Sequence, residues 1–185
     1  MKTDRTSLTT FTDVVSLATA KAHLRVDHSS EDSLINELIA AAGEVVEEYT
    51  GLYLSSSTWK HYADRFQGVM RIHAGPKPSV TSIQYYDSSN VLRTVDTADY
   101  YVDNKSFPLR IQFEEEPIDV DDRVNVVQIT GSAGYSVVPS ALKQAMLLII
   151  GHLYEHRKDV VTGVSSAPLP MGAKFLMDKH KPHTL

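Results

Sequence analysis

Apolar positions recur with helical spacing in two stretches of the chain and with strand spacing in the stretch between them. Leu34, Ile35, Leu38, Ile39, Ala42, Val45, Val46 and Tyr49 follow an i, i+3, i+4 pattern. At 100° per residue they fall within an arc of about 140°. The spacing predicts an amphipathic helix from Glu31 to Tyr49, with Ser30 as N-cap and Gly51 available for the left-handed position after its end. Upstream, Ser16 can cap a short helix over Leu17–Leu24. A further helix is predicted from Val138-Pro139-Ser140-Ala141 to Arg157, proline favouring the start. Leu142, Met146, Ile149 and Leu153 make one face of it, but Leu147, Leu148, Ile150 and Tyr154 carry apolar character round most of the circumference. Such a helix must be covered on more than one side. In a short chain neighbouring subunits are a candidate cover, which makes Leu147, Leu148, Ile150 and Tyr154 candidate subunit-packing residues.

Between these helices the pattern changes. Trp59, Tyr62 and Phe66, then Val80 to Tyr86, Tyr100 to Val102, Ile111 to Phe113 and Val124 to Thr130 are short β-prone runs. Gly75-Pro76-Lys77-Pro78, Asp87-Ser88-Ser89-Asn90, Phe107-Pro108 and Glu116-Pro117 separate them with turn chemistry. Short runs at this spacing predict antiparallel pairing. The expected class is α+β: a helical layer at 16–50 and 138–158, made of one short helix and two longer ones, with an antiparallel sheet or barrel-like insertion at 52–135 and a C-terminal arm at 159–185. In the arm a small apolar patch, Phe175, Leu176 and Met177, is surrounded by Lys174, Lys179, His180 and Lys181. One or two helical turns of this kind do not fold alone and need a surface to dock on. Lys174, Phe175, Leu176, Met177, Lys179 and Lys181 are therefore candidate partner-docking residues.

The chain has 185 residues, 42% hydrophobic and 22% charged, which fits an ordered globular protein and one structural unit. No apolar run approaches the roughly 20 residues of a membrane-spanning helix, so no membrane association is expected. The N-terminal segment lacks the apolar run of a signal peptide, so export by that route is not expected. With no cysteine, disulfides, thiolate zinc sites and cysteine nucleophiles are excluded together. Residues 1–50 hold 4 Lys/Arg against 9 Asp/Glu, residues 51–135 hold 8 against 11, and residues 136–185 hold 6 against 3, giving −5, −3 and +3. Only the last third could track phosphates, so sequence-specific nucleic-acid binding is not expected. Glu37, Glu44, Glu47 and Glu48 share one face of the long helix with no Lys or Arg at i+4. That face is either a solvated side or a surface whose task is to be negative.

One string suggests catalysis. His152-Leu153-Tyr154-Glu155-His156 matches H-x-x-E-H, in which two histidines one turn apart can hold zinc while the glutamate serves as base. A third ligand is needed, and only Asp159 and Asp178 follow as carboxylates. Histidines late in a helix also favour its C-terminal dipole. The acidic runs Glu114–Glu116 and Asp119, Asp121, Asp122 lack the spacing and glycine of an EF-hand and read as a solvated loop. Neither a phosphate-binding loop with its lysine nor a G-x-S-x-G elbow occurs. No catalytic residue, cofactor or metal site is assigned.

Ser16 through Lys21, His23-Leu24-Arg25 and Asp27, followed by Glu31-Asp32 and the run Val46-Glu47-Glu48-Tyr49-Thr50-Gly51, resembles the opening of phage head-tail connector proteins. Gly134-Tyr135, Val138-Pro139, Lys143-Gln144-Ala145 and Leu153 through Arg157 resemble a later helix of that family, in the same order. The resemblance implies a non-enzymatic adaptor without cofactor, forming a ring of about a dozen identical subunits beneath the portal of a long-tailed phage. Its implied partners are the portal protein and a stopper or tail protein, with DNA passing through a channel without sequence-specific binding. The implied location is the virion neck, after assembly in the host cytoplasm. The β-rich middle would be the extended form of a region reduced to a hairpin in shorter members. Glu37, Glu44, Glu47 and Glu48 would suit the wall of such a channel, since a DNA-binding wall would be basic. His156 departs from the asparagine or small polar residue expected before the arginine, and that departure creates the H-x-x-E-H string. Other readings are a stopper or tail-completion protein and, more remotely, a zinc-dependent hydrolase.

Overall fold

The computed structural model describes residues 2–5, 10–156 and 170–182. Residues 157–169 and 183–185, which include most of the expected arm and the end of the expected later helix, lie outside the described residues. The chain forms two compact units, one from Thr10–Ser55 with Ser136–Pro182 and one centred on Ser56–Tyr135. The length left room for one sizeable core or two small ones, and one structural unit was expected. Two form because the helical stripes and the alternating strands each close on their own kind.

In the helical unit α1 (Leu17–Leu24) starts at Ser16, whose hydroxyl accepts from the Thr19 N–H at 3.2 Å. Helix α2 (Asp32–Thr50) ends as expected at Gly51, φ +69°, whose N–H donates to the Glu47 carbonyl at 2.8 Å. Its start differs. Glu31 occupies the N-cap position with no side-chain cap, because the Ser30 hydroxyl is engaged with His28 Nδ1 at 2.8 Å. Ile35, Ile39, Ala42 and Val46 are buried along one face of α2. Gly43 belongs to that face because the ring of Phe11, in a 3-10 turn at Phe11–Asp13, lies where a side chain would be: a Cβ there would stand 2.2 Å from the ring. Helix α3 (Ser140–Glu155) packs on α2 and α1, and α4 (Met171–Asp178) packs on α3 and α2.

The strand unit holds two antiparallel sheets. One has β1 (Lys2–Arg5), β2 (Ser57–Ala63), β8 (Val127–Ala133), β4 (Ser79–Tyr86) and β5 (Leu92–Thr94), in the order β1-β2-β8-β4-β5. The other has β3 (Val69–Ile72), β7 (Leu109–Phe113) and β6 (Tyr100–Asp103), in the order β3-β7-β6. Period-two burial is clean in β7, where Leu109, Ile111 and Phe113 are buried and Arg110 and Gln112 exposed. In the larger sheet Trp59 of β2 stands opposite Gly131 of β8, and Gly131 opposite Val80 of β4. The buried indole occupies the space above Gly131. A Cβ there would lie 2.2 Å from the indole and 2.1 Å from the Ser79 carbonyl. The strand expected from Val124 begins at Val127, since Asn125 takes φ +58° and Val124 is 74% exposed.

The β4–β5 turn is held by one carboxylate. Asp87 is buried and accepts from the Val91 N–H at 2.8 Å, the Ser89 N–H at 3.0 Å and Arg93 Nε at 2.8 Å. The Val91 N–H first, and then the Arg93 guanidinium, hold its carboxyl below the usual range.

Replacing Gly131 by Ala forces the indole or the β4 backbone to move. Unfolding in urea followed by Trp59 fluorescence is expected to show a loss of about 2–3 kcal/mol. A variant as stable as the parent would mean that the sheet yields at this point. For Asp87 the folded pKa lies below the unfolded one, so its stabilisation is complete above about pH 4 and fades as pH falls further. Asp87→Asn is expected to destabilise at neutral pH and to flatten the acid limb of the stability profile below about pH 4.

Candidate functional site

The outer face of α2 is acidic. Residues 31–50 contain six carboxylates and no Lys or Arg. Those at the start of the helix have partners: Asp32 pairs with Lys21 at 2.6 Å, and Glu31 accepts from the Tyr154 hydroxyl. Further along, Glu37, Glu44 and Glu48 are exposed. Glu47 is not part of that surface. Its Oε1 accepts the Leu54 N–H at 2.7 Å, closing the turn after the helix, so the four-residue face of the sequence reading reduces to three. Glu48 stands in the last turn, where the negative end of the helix dipole disfavours it, and Glu44 one turn earlier adds like-charge repulsion. Local stability does not account for them.

The all-round apolar character of α3 is covered from within the chain. Leu142, Ala145, Met146, Ile149 and Ile150 are buried, and Leu147, Leu148 and Tyr154 half-buried. Leu148 reaches α4, where a Cβ on Gly172 would come within 3.4 Å of its Cδ1. Ile150 is 0% exposed, so it belongs to the chain's own core and is not available to a neighbouring subunit.

Helix α4 is likewise docked on its own unit. Ala173 and Met177 are buried, while Lys174 and Lys179 are exposed and Phe175 is 62% exposed. Tyr49 at the end of α2 anchors it: the hydroxyl donates to Asp178 Oδ1 at 2.5 Å, and Lys181 Nζ lies 4.9 Å from the ring centroid. Asp178 is held below the usual carboxylate range by the Tyr49 hydroxyl, with Lys174, 3.3 Å away, adding to the effect. The docking surface that the sequence reading sought on a partner is met by α3 and α2. Lys174, Phe175, Lys179 and Lys181 stay on the outside, Leu176 is half-buried, and Met177 points inward.

His152 and His156 stack on each other, with centroids 4.6 Å apart, at the end of α3. The His156 N–H donates to the His152 carbonyl at 3.0 Å, and Nδ1 of His156 lies 3.1 Å from the same oxygen. Among the described residues no three His, Asp or Glu side chains come together as a metal site. No described helix is long and apolar enough to cross a membrane.

One surface had no counterpart in the sequence reading. The outward face of the three-stranded sheet sets Val69, Gln112 and Tyr101 in one row and Arg71, Arg110 and Asp103 in the next. Arg110 is bound to Asp103 at 2.5 Å. The period-two alternation of Val69-Met70-Arg71-Ile72 was its available signal, but four residues bounded by Gly68 are too short to stand out.

The sequence profile of the Phage gp6-like head-tail connector protein family matches residues 14–106. That range holds the first stretch of resemblance; the second, from Gly134 to Arg157, lies beyond it. No curated protein matches the sequence. Three chains of solved structures cover all of this chain, with 97% of their own length covered. One belongs to the neck of an empty gene transfer agent particle computed with C6 symmetry, at TM-score 0.80 and 21% identity. Another is in the virion of a native gene transfer agent particle, at 0.79 and 22%. A third is in the neck of the native particle computed with C12 symmetry, at 0.73 and 19%. At 22% identity and below these are likenesses of fold.

The inward and outward sides of α4 are expected to respond differently to truncation. Met177→Ala removes a fully buried side chain and is expected to lower the stability of the helical unit by about 2–4 kcal/mol. Phe175→Ala, on the exposed side, is expected to cost under about 0.5 kcal/mol. Equal effects in chemical unfolding would mean that α4 is not seated as described.

Proposed function

Because the chain belongs to the Phage gp6-like head-tail connector protein family, we propose that it is a non-enzymatic adaptor in the neck of a phage-like virion. Its copies close into a ring of about twelve, below the portal and above the stopper or tail. The family match over residues 14–106 carries this reading. The whole-chain likeness to subunits in particle necks computed with C6 and C12 symmetry supports the ring. Assembly takes place in the host cytoplasm before the neck is joined.

In the ring the outer face of α2 lines the path of the DNA. Glu37, Glu44 and Glu48 are exposed and have no basic partner among the described residues, and Glu48 opposes its own helix dipole. A negative wall neutralises no phosphates and releases no counterions, so the duplex slides past without a sequence-dependent or salt-dependent hold. The outer residues of α4, Lys174, Phe175, Lys179 and Lys181, give the same subunit a basic, partly apolar patch suited to the neighbouring protein of the neck.

Negative-stain images of the purified protein are expected to show rings with a central hole, and light scattering a mass many times that of one chain. Replacing Glu37, Glu44 and Glu48 by lysine adds +6 per subunit. The variant ring is expected to retain linear duplex at low salt, to lose it steeply as salt rises, and to load poorly on covalently closed circles, which cannot thread a closed ring. Equal retention of linear and closed DNA would place these glutamates on the outside. A parent protein that stays monomeric at all concentrations would remove the ring.

A further inference from the structure

A ring closed by rotation joins two different patches of the same chain, one on each side of every subunit. The strand unit carries two surfaces that complement each other in charge and in exposed apolar residues. The first is the outward face of β3-β7-β6. Its inner side is solid core, with Met70, Ile72, Leu109 and Ile111 fully buried. On its outer side Tyr101 is 65% and Val69 37% exposed. Recesses of about 260 Å³ and about 400 Å³ flank β3, and Arg71 and Val69 line both. The larger also holds Gln67, His73 and the edge of His61, whose buried Nε2 has no partner among the described residues. Arg110 is neutralised by Asp103, whereas Arg71 has no carboxylate partner among the described residues. The face is thus aromatic and apolar in one row, with an unmatched positive charge in the next.

The second surface is the loop between β7 and β8. Residues 114–123 carry six carboxylates and one arginine, a net −5 equal to that of the whole chain. In it Ile118 is 101% exposed, an apolar side chain that nothing among the described residues covers. The loop is nevertheless held in place. The Glu114 N–H donates to the Asp99 carbonyl at 2.9 Å and the Asp121 N–H to the Tyr86 carbonyl at 3.0 Å, while the Arg123 guanidinium lies 3.7 Å over the Tyr86 ring. A pinned loop presenting one isoleucine among carboxylates needs little further ordering to bind.

We propose that the loop tip of one copy docks on the outward β3-β7-β6 face of the next, Ile118 against Val69 and Tyr101 and the flanking carboxylates toward Arg71. This rests on the ring reading above and names the contact that closes it.

The chain has no cysteine, so two single-cysteine proteins, Tyr101→Cys and Ile118→Cys, can be mixed and gently oxidised. The mixture is expected to give a disulfide-linked dimer at least about tenfold more abundant than either protein alone gives. Arg71→Glu is expected to raise the concentration needed for assembly about tenfold or more by setting like charges against each other. Adding Glu115→Lys and Glu116→Lys in the same chain is expected to restore assembly. Rings from the parent together with no mixed dimer and normal assembly of Arg71→Glu would overturn this contact and leave the ring standing. A parent that forms no assembly would overturn both. Arg71→Glu rings that assemble normally but lose binding of a single-stranded oligonucleotide would assign the face to nucleic acid and overturn the proposal.

Discussion

Helix α3 presents water with almost no polar side, and the helical unit is arranged to hide it. An isolated helix of that composition would aggregate, since each fully buried Leu, Ile or Met is worth about 1.5–3 kcal/mol over its exposed state. Helices α1, α2 and α4 supply the cover. This explains how α4, eight residues long and too short to persist alone, has a fixed place: Ala173 and Met177 fill the last uncovered side, and the Tyr49–Asp178 hydrogen bond ties the far end. The unit therefore closes its core without a neighbour. Association is left to side chains the fold does not consume.

Those side chains are unevenly charged. The start of α2 neutralises its carboxylates through Lys21 and Tyr154, and the far half does not. A glutamate near a helix C-terminus meets the carbonyl end of the dipole, and a second one a turn away meets the first. Glu48 meets both penalties and Glu44 the second, in full solvent, while Glu47, between them, turns inward to the Leu54 N–H. Two acids of one local sequence thus do different work, one closing a turn and the other keeping a field. The loop from Glu114 to Arg123 repeats the pattern on a strand scaffold.

The helices were legible because their signals are long and redundant: eight apolar positions define the α2 stripe, and Gly51 marks its end. The Ser30 cap was misread because His28, two residues away, competes for the hydroxyl. Strands with alternating large side chains, β4 and β7 among them, were visible. Strand β1 was not, since Lys2-Thr3-Asp4-Arg5 has no apolar residue and is defined only by the backbone of β2. The cover of α3 was left open between its own chain and neighbours because no local pattern shows that residues 171–178 fold back on residues 140–155. Of the acidic stripe, Glu37, Glu44 and Glu48 are exposed, while the inward turn of Glu47 was not legible because it depends on a backbone N–H seven residues ahead. The sheet face with Arg71 and Tyr101 is assembled from three strands distant in sequence and had no signature in any one of them.

The larger sheet is ordered β1-β2-β8-β4-β5, so its middle strand is the last of the five in the chain. As the polypeptide leaves the ribosome, Lys2 waits for its partner Tyr62. At about 5–20 residues per second that delay is roughly 3–12 s. Neither β2 nor β4 has its central neighbour until Val127–Ala133 has emerged, and until then both carry open edges. The helical segment Thr10–Ser55 is synthesised within this interval, but it lacks α3 and α4 for longer than the sheet lacks its centre. The strand unit is therefore completed first and the helical unit last, and a nascent chain stalled before β8 exposes strand edges that invite aggregation or a chaperone.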